Sequence, residues 1–482
     1  MGTVEAFFQT VSDSFSQLLE WLPIGPIETF FGTAADFLWE DWMLVLLLGL
    51  GIYYTVMTGF VQFRYFPYVF KQFLKGLRKN QDEDGKSGKF SSNQALFTAV
   101  ASCVGSGNIV GVSTAILSGG PGALFWMWIA SILGMSTKFA EITLGVRYHG
   151  RDEAGEINGG PMYYISKAFH APWMGALVAV LLFIQNAGAT LIQSNTIGGV
   201  MHKALSIPPI VTGVVLAVLM TCVISGGLKR LVHTAEKIVP TMAVLYILGG
   251  LIVILLNITA LPGVIVDIFK GAFTFKAGAG AAAGLTIKHA LRYGVARGLY
   301  SNEAGEGSAA VLHAAAKVDH PARQGMYGLI EVFIDTILLC STTGFTVLIT
   351  GMNETHANAS TLAAAAFGAT IPGFQFVIYL CLLLFCGTSI MSQWYFGHVS
   401  LKYLKHPRGA AIYRAVFPFL IVLGSLSTID MVWDIQDCAL GLLIIPNVIA
   451  LVILGPEVRR MLRELTAPAN KYLSEEAVNR KP

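Results

Sequence analysis

The stretch ASCVGSGNIVGVST at 101–114 sets Gly105 and Gly107 two apart inside an apolar run, with Ser106 and Asn108 beside them. Each glycine costs a helix interior about 1 kcal/mol relative to alanine, so the pair favours unwinding at that point. An unwound turn frees N–H groups on one side and C=O groups on the other. The first attract a carboxylate and the second a cation. This chemistry suits a small zwitterion with a hard cation close by. Thr388 and Ser389 in CGTSIMSQW offer hydroxyl ligands, and a hard cation takes hydroxyl and carbonyl oxygens without needing a carboxylate. An equal alternative for these two hydroxyls is bonding back to the preceding helical turn. A second interruption, GVARGLYSNEAGEG at 294–307, sets Gly298, Gly305 and Gly307 among polar residues. Gly119 and Gly122, in SGGPGALFW, read instead as close helix packing or a turn.

Ionisable residues within apolar runs are functional suspects, because an unpaired charge in a bilayer costs several kcal/mol. Lys138 and Glu141 are three apart and read as a pair on one helix. Asp335, in FIDTILLC, has no cation within four residues on its own helix; it reads as support for the second interruption, with direct cation binding as the alternative. Arg297 and Glu303 flank that interruption as a candidate gate pair. Lys288, His289 and Arg292 precede it and are read as lining an outer vestibule. Glu306 lies three residues after Glu303, so on a resumed helix the two carboxylates would share a face; the bland alternative leaves Glu306 in a wet inner vestibule.

The elements that must carry these residues follow from composition. The 482 residues are 54% hydrophobic and only 13% charged, against about 25% charged in an average soluble chain. That is a polytopic membrane protein. A net charge of +3 without a basic stripe gives no reason for a nucleic-acid partner. The six cysteines form no CxxC pair, which argues against a zinc site or disulfide framework. The first basic residue is Arg64, so no secretory signal opens the chain. No HExxH or GxSxG occurs, which weakens a membrane-embedded enzyme; a channel is the third option. No obligate protein partner is evident, and lipid surrounds the spans.

Spans of about 20 apolar residues are expected near 42–62, 93–117, 121–147, 173–200, 208–227, 238–259, 285–311, 326–351, 373–399, 411–428 and 431–455. Residues 2–38 read as one or two amphipathic helices with acidic faces at Glu5, Asp13, Glu20, Glu28 and Asp36. The organisation is then an extracytoplasmic segment at 1–41, a leading span at 42–62, five-span repeats at 93–259 and 285–455, and a cytoplasmic tail at 456–482. Basic residues crowd the 63–92 connection (Arg64, Lys71, Lys75, Arg78, Lys79, Lys86, Lys89) and recur at Lys229, Arg230, Lys317, Arg323, Lys402, Lys405, Arg408, Arg459, Arg460 and Arg463. The N-terminus is therefore expected outside and the C-terminus in the cytoplasm. Each interruption opens one set of five spans, and interrupted segments at corresponding places in two halves point to a transporter built on inverted repeats.

Five stretches carry a resemblance: VGSGNIVGV at 104–112, GGPGALFWMWIASILGMSTKFAE at 119–141, GGPMYYI at 159–165, RGLYSNEAGEGS at 297–308, and HPARQG with IDT at 320–336. Together they resemble the alanine/glycine:cation symporters of bacteria and archaea. The resemblance implies an all-α leucine-transporter-type 5+5 inverted repeat with one extra N-terminal span, eleven in all, in a bacterial or archaeal cytoplasmic membrane. It implies cation-coupled uptake, with Na+ favoured and H+ not excluded, of alanine, glycine or a similar small neutral amino acid. A proton-coupled carrier of another small amino acid is the alternative. Carried over residue by residue, Gly105, Ser106, Gly107 and Asn108 line the substrate site, with Gln193 facing the substrate and Trp394 limiting side-chain size. Ala101 and Val104 give carbonyls to a sodium whose hydroxyl ligands are Thr388 and Ser389. The chain departs from the family pattern at Cys103 and Glu306.

Overall fold

In a bilayer every backbone N–H and C=O must be satisfied within its own segment, so apolar runs of this kind close as helices. The structure, a computed structural model, describes residues 24–78, 90–151, 155–273, 282–426 and 430–467, and within them it is helical apart from one short hairpin. The helices are α1 (Ile24–Leu38), α2 (Asp41–Met57), α3 (Phe66–Arg78), α4 (Ser92–Cys103), α5 (Gly107–Gly119), α6 (Gly122–Arg147), α7 (Pro161–Ala168), α8 (Pro172–Leu205) and α9 (Pro209–Ile224). They continue with α10 (Gly227–Leu256), α11 (Leu261–Phe273), α12 (Ala282–Asn302), α13 (Ser308–His313), α14 (Pro321–Ile349), α15 (Ala359–Thr370), α16 (Phe374–Tyr403), α17 (Pro407–Leu426) and α18 (Asp430–Thr466). The hairpin pairs β1 (Gly150–Arg151) with β2 (Ile157–Asn158).

Among the described residues seven helices are long and apolar enough to cross a membrane, and an eighth span results if α4 and α5, bent by 55° at their junction, count as one. Helices α2, α9 and α15 are apolar but shorter. Glycine lets neighbours touch: a Cβ on Gly122 would fall 2.2 Å from the Gly271 backbone, so Gly122 serves helix packing. The core is one continuous apolar cluster with a small satellite of Ala95, Ile142, Val146, Ala309, Ala316 and Val318. Val218, Leu255, Phe419 and Ile453 are among the large apolar side chains left on the outside, as a lipid-facing surface requires.

Several boundaries differ from the sequence expectations. The leading span ends at Met57, because Gly59 and Phe60 turn the chain through left-handed conformations. It is followed by amphipathic α3, whose Phe66 and Phe70 pack on Phe333. The connections at 260–284 and 352–372 carry helices of their own, α11 and α15. The last helix runs past 455 to Thr466. Of the N-terminal segment one helix is seen, α1; Glu5, Asp13, Glu20, Lys79, Lys86, Lys89 and the end of the tail lie outside the described residues. Lys288 pairs with Asp41 at 2.7 Å on an exposed surface and so ties α12 to α2.

Candidate functional site

The first interruption forms where the glycine spacing places it. A capping box starts α4: the Ser91 hydroxyl accepts from the Gln94 N–H, and the Gln94 side chain accepts from the Ser91 N–H. The helix ends at Cys103, and Val104 turns extended. In a continuing helix the N–H groups of Gly105 and Ser106 would go to the carbonyls of Ala101 and Ser102. Here Gly105 N–H donates to Asn108 Oδ1 at 2.9 Å, and Ser106 N–H donates to Gln193 Oε1 of α8 at 3.2 Å. The Ala101 and Ser102 carbonyls thereby lose their helical donors. The chain resumes through one wide π-type turn at Gly107–Gly111.

Ser389 of α16 closes this site from the other side. Its Oγ lies 3.0 Å from the Ser102 carbonyl, 3.0 Å from the Val104 carbonyl and 3.2 Å from the Phe385 carbonyl. One hydroxyl proton serves one acceptor at a time, so this is a cage of oxygen lone pairs, the donor set a hard cation prefers. Thr388 behaves differently: its Oγ1 bonds back to the Phe385 carbonyl at 2.9 Å and faces Met242 of α10. The back-bonding alternative therefore describes Thr388, and Ser389 reaches the break. Among the described residues no group of three or more His, Cys, Asp or Glu side chains could hold a metal ion.

Gly105 sits tightly in this site. A Cβ there would lie 2.6 Å from Ser389 Oγ and 2.8 Å from Gln193 Nε2. Gly107 is roomier, with its nearest contacts, Ser301 and Tyr300, at 3.5 and 3.6 Å. Trp394 is not brought to this side. It lies seven residues from Gly387, hence on the same face, and a Cβ on Gly387 would meet Leu216 and Met220 of α9. The Trp394 ring stacks on His398 at 5.1 Å. Gln393, one turn beyond Ser389, faces α8 instead and lies 3.3 Å from the Thr190 hydroxyl.

Asp335 joins the two interruptions. Its Oδ1 accepts from Asn108 Nδ2 at 2.6 Å, and its Oδ2 accepts from the hydroxyls of Ser301 (2.9 Å) and Thr336 (2.7 Å). Thr343 adds a bond to the Asn108 carbonyl at 2.7 Å. Asp335 is fully buried in a π-type segment, Phe333–Cys340, and such widened turns gather at functional sites. Asp335→Asn would turn one of the two accepting oxygens into an NH2 group, set either against Asn108 or against the Ser301 and Thr336 hydroxyls. A loss of about 1–3 kcal/mol of stability is expected, read as a lower unfolding midpoint of the purified protein.

The second interruption occupies the last part of the expected stretch 294–307, at Gly305 and Gly307 and not at Gly298. Helix α12 runs unbroken through Gly298 to Asn302, and the chain unwinds at 303–307, where Glu303, Gly305 and Gly307 all have positive φ. Glu303 and Glu306 therefore do not share a helical face. Glu306 is 7% exposed, so it is buried and not in a wet vestibule. Arg297 and Glu303 form no ion pair among the described residues: Glu303 Oε2 accepts from Ser102 at 3.4 Å and from Ser308, while Arg297 lies over the Tyr300 ring. Lys138 and Glu141 also part, because each finds a buried partner on another helix. Lys138 pairs with Glu331 at 2.9 Å, and Glu141 accepts from Asn447 at 2.8 Å. Asn447 of α18 also donates to the Gly305 carbonyl at 2.7 Å and accepts from the Tyr164 hydroxyl at 2.6 Å. Asn447, Gln393 and Glu331 are not among the expected site residues; the signal for each is a polar side chain inside an apolar run.

The Ser106–Gln193 bond makes a measurable prediction. A carboxylate entering here would displace a neutral amide oxygen from Ser106 N–H, and the Gln193 Nε2 could then donate to it. Gln193→Ala is expected to weaken binding of a small carboxylate-bearing ligand about tenfold, one good hydrogen bond to a charged group, measured by titration of the purified protein.

A family model described as the sodium:alanine symporter family matches residues 25–479. The sodium/alanine symporter AgcS of Methanococcus maripaludis is 38% identical over 88% of this chain and 94% of its own. The probable sodium/glutamine symporter GlnT of Bacillus subtilis is 37% identical over 91% of both chains. The crystal structure of MhsT in complex with L-phenylalanine is similar with a TM-score of 0.52 and 14% identity, covering 78% of this chain and 99% of that one. The fold is that of leucine-transporter-type proteins.

Proposed function

The chain belongs to the sodium:alanine symporter family, and on that premise we propose that it carries alanine, glycine or a similar small neutral amino acid into the cell together with Na+, by alternating access. It is an integral membrane transporter, not an enzyme. The observation that carries the coupling is at the first interruption. The carbonyls of Ser102 and Val104 meet the Ser389 hydroxyl, and two residues further on the Ser106 N–H points to Gln193. A cation on the carbonyl side and a carboxylate on the N–H side would share one short piece of backbone. Each then orders the turn that the other needs, which is a physical basis for coupling.

Counting α2, α9 and α12 with the eight spans above gives eleven, α12 being kept polar by Lys288, His289, Arg292 and Arg297. With α2 set aside, α4–α5 and α12–α13 each open five spans, as an inverted repeat requires. The basic connections support an orientation with the C-terminal end of α18 in the cytoplasm. The small substrate fits the closeness of Gly105 to Gln193 and Ser389. Uptake of labelled alanine by proteoliposomes under an imposed Na+ gradient tests the reading, with K+ and pH-gradient controls and with glycine and glutamine as competitors. Uptake driven by the pH gradient alone would favour the proton-coupled alternative; stronger competition by glutamine than by glycine would move the substrate class.

A further inference from the structure

A second buried polar cluster, next to the first interruption, centres on Glu331 of α14. Glu331 and Lys138 of α6 are both fully buried and lie 2.9 Å apart. Glu331 Oε1 also accepts from the Cys103 thiol at 3.1 Å, and Oε2 accepts from His313 Nε2 at 3.1 Å. Gln324 Nε2 donates to His313 Nδ1 at 2.7 Å, which puts the imidazole proton on Nε2, toward the carboxylate. Cys103 ends α4 and His313 ends α13. One carboxylate thus holds both short legs beside the interruptions to two continuous helices.

The legs are also joined to each other. Phe90 N–H donates to the Ala315 carbonyl at 3.4 Å, and Lys317 N–H to the Phe90 carbonyl at 2.7 Å. Glu303 bridges Ser102 of α4 and Ser308 of α13. Ala95, Ala309, Ala316 and Val318 share their apolar satellite cluster with Ile142 and Val146 of α6. Legs tied at three places move as one body, and small side chains are their apolar hold on α6.

We propose that Glu331 is a positioning residue for transport, the latch of the α4–α13 pair. Opening of the face these legs cover, cytoplasmic in the proposed orientation, requires Cys103 and His313 to leave Glu331 while Lys138 stays. Lys138 and Glu331 sit on continuous helices, so the carboxylate keeps its cation and is never left alone in a low dielectric. What departs is a thiol and an imidazole N–H, both neutral, so the latch opens without separating charge. The inference rests on the alternating-access reading for its meaning, and its test needs no transport.

Cys103 is its own reporter. In proteoliposomes without Na+ or amino acid, alkylation of Cys103 by N-ethylmaleimide, followed by mass spectrometry, is expected to be slow in the parent protein. His313→Leu removes one arm of the latch and should speed it about tenfold, a population shift toward the open arrangement. His313→Gln keeps an N–H toward the carboxylate and should stay within about twofold of the parent. Should His313→Leu fail to fold, Gln324→Ala, which leaves His313 without its support, is expected to give about a threefold rise. Cys386, buried on α16, reports general loosening. A parental Cys103 rate in the folded variant overturns the latch, as does an equal rise at Cys386. If the symport reading were wrong, uptake would be missing while this cysteine readout stayed intact.

Discussion

Gly105→Ala is expected to reduce Na+-driven alanine uptake more than about a hundredfold, the rate equivalent of some 3 kcal/mol, in a protein that still folds. The methyl group would lie 2.6 Å from Ser389 Oγ and 2.8 Å from Gln193 Nε2. Those atoms belong to the proposed cation and carboxylate sides of the same turn, so one methyl disturbs both. Gly107→Ala is the control, since its Cβ would meet Ser301 and Tyr300 at ordinary contact distances of 3.5 and 3.6 Å. It should retain at least about a tenth of the parental rate. Uptake by both variants at matched protein density decides the matter, and equal loss in the two would remove the close-approach explanation.

Ser389→Ala is expected to raise the Na+ concentration for half-maximal uptake at least about thirtyfold, because its hydroxyl is the side-chain oxygen among three converging carbonyls. Thr388→Ala should shift it less than about threefold, since that hydroxyl is spent on its own helix. Initial rates over a Na+ titration separate the two. A larger effect at Thr388 would mean that its side chain rotates toward the break when the cation arrives.

Much of this site could be read from residue order. The VGSGN spacing located the unwinding at 104–106, because two glycines two apart weaken a helix whatever surrounds them. The second interruption lies within the expected 294–307 but only in its last five residues, since Gly298 sits inside a helix packed closely on Met127 of α6, a tertiary effect that no local pattern carries. Trp394 and Gln393 are neighbours in sequence, but 100° of helical rotation sends one toward α9 and the other toward α8. Lys138 was visible as a charge in an apolar run, yet its partner Glu331 lies 193 residues away. Spacing on one helix could suggest only Glu141.

In the proposed mechanism cation and amino acid share one interrupted turn, and equilibrium binding tests this most directly. Alanine affinity of the purified protein should rise with Na+ concentration, and Na+ affinity should rise with alanine by the same factor, as linkage demands. In Ser389→Ala the Na+ effect on alanine binding should shrink toward none, while alanine still binds weakly. Alanine binding that is tight and indifferent to Na+ in the parent protein would contradict the account.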